Sequence, residues 1–154
     1  MRVLLSVAAA AVCVSGCATA TRGTSQDWSV QSLPTGASVS TTNGFRCDAT
    51  PCSFRMPRTS RFVVTVSKPG YQSVEAQIDH RFSNGGAGAT AGNVILGGVI
   101  GLGVDATTGA NQDIRPNPFI VRLQPGTGTR QLTWQQAEGE SASALTNGGG
   151  AAPR

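Results

Sequence analysis

Histidine, acids and aromatics are all scarce in this chain. There is one histidine, His80, and only 8 Asp and Glu stand among 154 residues. Aromatics make up 5% and charged residues 13%. Each scarcity excludes something. One histidine and few acids leave no ligand set for a zinc site. A histidine-based triad would have to use His80 with Asp79 beside it, and no motif marks a serine or cysteine as its partner. The expectation is no catalytic residue, no metal and no cofactor. No apolar run reaches the roughly 20 residues that cross a bilayer core. The Gly-rich region lacks the Gly-Lys-Ser/Thr ending of a phosphate loop, and Gly101-x-Gly103 lacks the further glycine of a dinucleotide fingerprint.

What is present begins with a leader. Met1-Arg2 supplies a positive start, and residues 3–14 are apolar with Ser6 as the one polar break. That length suits the apolar region of an export signal, about 7 to 15 residues. It closes on Val14-Ser15-Gly16-Cys17, an aliphatic residue, two small ones and a cysteine. The segment resembles the lipobox of bacterial lipoproteins. The resemblance implies cleavage after residue 16, lipid on Cys17 and a palmitate-bearing membrane anchor. Ala18 is not the aspartate that retains such proteins at the inner membrane, so the resemblance implies an outer-membrane lipoprotein facing the periplasm. Two other readings stand beside it: plain secretion from an Ala-x-Ala-type site before Arg22, and a buried core helix.

Removal of 1–16 leaves enough chain for one domain with a core of its own. Residues 17–26 are small and polar and read as a tether. The net charge of +4 is modest, and an exported chain is not expected to meet nucleic acid. Its one local concentration is Arg46, Arg55, Arg58 and Arg61, a candidate contact for lipopolysaccharide phosphates or another polyanion. The plainer reading is a solvated sheet face. With Cys13 lost and Cys17 acylated, Cys47 and Cys52 remain as an even pair in an oxidising compartment. They flank a short loop, so a disulfide is expected.

The middle of the chain alternates like β-structure. Residues 27–32 alternate around Trp28 and Val30, and Pro34 and Gly36 mark a turn. Ala37, Val39 and Thr41 alternate with polar neighbours up to Asn43-Gly44, a strong hairpin signal. Residues 53–56 form a short strand. In 61–68, Phe62, Val64 and Val66 should point one way, with Val63 and Thr65 opposite. Pro69-Gly70 turns the chain into 71–78, whose Val74, Ala76 and Ile78 should pair with it as a hairpin. Residues 119–123 read as a last strand.

Three segments carry a family resemblance. Leu33-Pro34-Thr35-Gly36-Ala37-Ser38-Val39 is similar to the P-x-G-A-x-V segment of PEGA domains. Thr50-Pro51 stands where that family has a Thr-Pro before a strand. Val64 to Tyr71, ending Lys68-Pro69-Gly70-Tyr71, resembles its closing hairpin. The resemblance covers residues 28–78 and implies a small β-sandwich-like module of bacterial envelope proteins with no general catalytic activity.

The second half is Gly-rich. Residues 83–110 hold the apolar stretch 94–104, with small-xxx-small spacing at Gly88/Gly92 and Gly97/Gly101. It reads as an apolar helix or hairpin insertion packed on the sheet, with self-association or membrane contact as the other reading. Residues 98–109, together with Pro116-Asn117-Pro118 and the following Val121-x-Leu123, resemble a group of small bacterial lipoproteins. Asp105 reads as a helix cap or turn residue. Residues 124–154 are expected to be disordered, with Trp134 an exposed aromatic that could mark a partner-binding segment.

The expectation is therefore a mostly β, PEGA-like domain over 27–123, with a final strand at 118–123 and a disordered tail. The module would be a non-catalytic cell-envelope lipoprotein. Its partners would be the membrane through Cys17 and an envelope protein or peptidoglycan. The alternative is a self-associating or membrane-active component acting through 88–104.

Overall fold

The computed structural model describes residues 23–82 and 109–147. The chain divides into two compact units. One comprises Met1–Ser25 and Phe82–Asp113. Of its few described residues, Gly109 and Gln112 form a turn, Gln112 N–H donating to the Gly109 carbonyl at 2.9 Å. The leader 1–16, the lipidation residue Cys17 and most of the Gly-rich segment, including 88–104 and Asp105, lie outside the described residues.

The other unit, Gln26–Arg81 with Ile114–Arg154, carries the fold. In chain order the strands are β1 (Ser25–Leu33), β2 (Ser38–Thr41), β3 (Arg46–Cys47), β4 (Cys52–Pro57), β5 (Phe62–Ser67), β6 (Ser73–Phe82), β7 (Gln112–Arg115), β8 (Phe119–Arg122) and β9 (Thr129–Leu132). A helix, α1 (Trp134–Asn147), follows. One sheet has the order β4-β1-β8, the other β3-β2-β5-β6-β7, with β9 also pairing β6. The fold of the described residues is mostly β, two sheets with one C-terminal helix.

Period-two alternation builds the core. In β5, Phe62, Val64 and Val66 are buried while Val63 and Thr65 are only partly covered. Antiparallel register sets Phe62 opposite Ile78, Val64 opposite Ala76 and Val66 opposite Val74, so two apolar faces join. From the other sheet comes Trp28, fully buried on β1. It meets Phe62 edge-on at 4.9 Å and stacks near Phe54 and Phe119 at 6.3 and 6.4 Å. Its indole N–H donates to the Pro116 carbonyl at 2.8 Å, so this buried donor is not orphaned. The Cys47–Cys52 disulfide joins β3, the edge of one sheet, to β4, the edge of the other. Closing so short a loop contributes about 2 kcal/mol.

Four expectations need correction. The tether does not reach residue 26: β1 starts at Ser25, and Gln26 is buried, taking the Ile114 N–H at 3.2 Å. Strand β7 was not expected. The strand at 119–122 is not the last, because β9 pairs in parallel with β6, Ser73 opposite Thr129 and Ala76 opposite Leu132. The segment 124–147 is ordered, not disordered, within the described residues. Its helix buries Ala137, Ser141 and Ala144, one stripe at helical spacing whose residues are too small to register as an apolar face. Thr133-x-x-Gln136 is a capping box: Thr133 N–H donates to Gln136 Oε1 at 2.9 Å, and Gln136 N–H faces Thr133 Oγ1 at 3.5 Å.

The helix also closes an edge. In the parallel β1–β8 pair, Val30 faces Phe119 and Ser32 faces Val121, so alternate residues of β8 turn their backbone groups outward. Ile120 N–H donates to Ser141 Oγ at 3.1 Å, and Arg122 N–H to Glu140 Oε1 at 2.9 Å. Arg130 donates to the Arg122 carbonyl at 2.9 Å and to both Glu140 oxygens at 3.0 and 3.1 Å. Side chains thus take the place of a neighbouring strand and block edge pairing.

Candidate functional site

The motif residues that resemble the family come together, and they are occupied with one another. Thr50 is buried. Its hydroxyl takes the Ala37 N–H at 3.0 Å and contacts the Ser32 hydroxyl. Gly36 N–H donates to the Thr50 carbonyl at 3.0 Å, and Thr50 N–H to the Ala37 carbonyl at 2.8 Å. Lys68, arriving at the end of β5, donates to the Thr35 and Gly36 carbonyls at 2.9 and 3.3 Å. Gly36 sits at φ 79°, where a side chain is strained, and an added Cβ would stand 3.3 Å from Lys68 Nζ. These residues explain why the loops close as they do. None of them lines the groove at the other end of β5.

An open groove lies at the other end of β5. This groove of about 320 Å³ is lined by Thr42, Arg61, Phe62, Val63, Gln77, Ile78, Asp79 and Trp134. Its floor is the β5–β6 pair near Val63 opposite Gln77. Thr42 is fixed by the backbone: Val63 N–H donates to Thr42 Oγ1 at 3.0 Å. Arg61 Nε–H donates to Asp79 Oδ1 at 2.8 Å, and the same oxygen accepts the His80 N–H at 2.8 Å. Gln77 is exposed. Trp134, at the first position of α1, is half-buried. The Arg81 guanidinium lies 3.6 Å from its ring centroid, a close cation–π contact.

The four arginines of the sequence cluster are placed separately. Arg46 is exposed on β3. Arg55 pairs with Asp27 at 3.4 Å with both side chains about two-thirds exposed, a pair of little energetic weight. Arg58 donates to Gln26 Oε1 at 3.1 Å. Arg61 belongs to the groove. His80 does not form a dyad: its Nδ1 is buried without a hydrogen-bond partner, 3.6 Å from Asp79 Oδ1. Among the described residues no group of three or more His, Cys, Asp or Glu could hold a metal ion. Reading the sequence singled out Arg61 and Trp134 but not their meeting, because the capping box that positions Trp134 lies in a stretch of polar composition. Asp79 draws attention in the sequence only as the neighbour of His80, and nothing there marks Gln77 beyond a polar position of a strand.

The family model of the PEGA domain matches residues 25–84, and the chain carries a PEGA-like domain there. No curated protein and no solved structure matches the chain.

Proposed function

We propose that the protein is a non-catalytic cell-envelope lipoprotein, anchored through Cys17, that presents its β module in the periplasm to bind a protein or the cell wall through the groove at Trp134. The observation that carries the binding role is the contrast in how polar groups are used. The motif residues satisfy one another, whereas Gln77 and part of Trp134 stay turned to an open groove. The anchor is supported by Val14-Ser15-Gly16-Cys17 after an apolar leader. Asp79 is the one carboxylate lining the groove among the described residues and is engaged by Arg61, which favours binding over acid–base chemistry.

The test is the intact mass of the protein isolated from membranes. Cleavage after Gly16 with acyl chains on Cys17 is the predicted result. An unlipidated mass starting beyond Cys17 would remove the anchor from this reading.

A further inference from the structure

Within that reading, on which this step rests, we propose that the groove takes the glycan strand of the cell wall, a polymer of N-acetylated sugars bound through its rings rather than its peptides. The wall chemistry of the groove carries the assignment. A sugar ring has an apolar C–H face and a rim of hydroxyl and amide groups. The groove offers the matching set: the Trp134 indole and Val63 for the face, and Gln77, Asp79, Arg61 and Thr42 for the rim.

Three features disfavour other occupants. Arg61, the one cation among the described lining residues, is paired with Asp79 at 2.8 Å, which leaves it poorly placed to hold a polyanion. Neither floor strand ends the sheet: β5 lies between β2 and β6, and β6 pairs β5, β7 and β9. A peptide therefore cannot add to them as a further strand. The groove is also small, at the lower end of ligand-site volumes. It is too narrow for an apolar helix, but it suits one or two sugar rings of a polymer that continues past it.

The aromatic wall is set in advance. Arg81 holds one face of the Trp134 ring and is not itself among the groove-lining residues, so the face it covers turns away from the groove. The Thr133–Gln136 capping box fixes the helix start that carries the indole. A ring held before the ligand arrives loses little freedom on binding. Cleavage of the strand by the usual route would need two carboxylates flanking the bond. Among the described residues the groove is lined by one, Asp79, so the proposed role is to hold the glycan and not to cleave it.

The test titrates the full mature protein with a soluble tetramer of β-1,4-linked N-acetylglucosamine and follows tryptophan emission. Trp28 is fully buried and serves as a silent reference, so a saturable change reports Trp134. Gln77→Ala, at an exposed position, should fold normally by circular dichroism. It should bind the tetramer about fivefold more weakly, as for one lost neutral hydrogen bond. No saturable response, equal affinity in Gln77→Ala, or a tighter response to lipopolysaccharide core sugars would overturn the glycan assignment. Purified sacculi separate this failure from failure of the envelope reading. Retention that needs stem peptides and ignores Gln77→Ala sinks the glycan proposal and keeps a wall-binding module. An unlipidated mature mass sinks the anchored reading and leaves the tetramer titration to decide the groove.

Discussion

The two ends of β5 use polar residues in opposite ways. At the Ser67 end, Lys68, Thr50 and the backbone of Gly36 and Ala37 are hydrogen-bonded to one another. Substitution there should be felt in stability and not in binding. At the Phe62 end, Arg61, Gln77 and Asp79 line an open groove beside Trp134, and substitution should be felt in binding and hardly in stability. A motif that identifies a family can thus spell loop closure, while the groove proposed to bind is assembled from residues outside it.

Substitutions break the comparison in a graded order. Trp28→Ala removes the ring that packs on Phe54, Phe62 and Phe119 and orphans the Pro116 carbonyl. It should cost about 3–5 kcal/mol in denaturant unfolding and disturb both ends at once. Replacing Cys47 and Cys52 together by serine should cost about 2 kcal/mol, read as a lower urea midpoint at unchanged slope. Gly36→Ala places a side chain at φ 79° and should cost about 1–2 kcal/mol, with ligand affinity unchanged. Ser141→Ala strips the partner from Ile120 N–H and should cost about 1–2 kcal/mol, with faster hydrogen exchange at that amide. Gln77→Ala should change stability by less than about 0.5 kcal/mol and show its effect in binding alone.

The parts of this contrast differ in how openly the sequence wrote them. The hairpin of β5 and β6 was legible because alternation and the Pro69-Gly70 turn agree, and its register follows from which face is apolar. The Cys47–Cys52 bond was legible from the short loop between the two cysteines and from the expectation of export. The parallel pairings of β1 with β8 and β6 with β9 were not, since they join segments far apart in the chain, Val30 with Phe119 and Ser73 with Thr129, and no turn residue marks them. The helix was hidden for another reason. Its buried stripe is Ala137, Ser141 and Ala144, and its tie to β8 is made by Ser141 and Glu140 acting as hydrogen-bond partners of a strand edge. Hydropathy patterning does not register such contacts. Because Trp134 rides on that helix, the groove was hidden with it.

The most direct test of the account is a map of amide chemical shifts as the protein is titrated with wall fragments. The account predicts shifts clustered at Arg61, Val63, Gln77, Asp79 and Trp134, with Gly36, Ala37, Thr50 and Lys68 unmoved. Shifts centred on the Gly36–Thr50–Lys68 loops, with the groove silent, would contradict it and make the motif itself the binding surface.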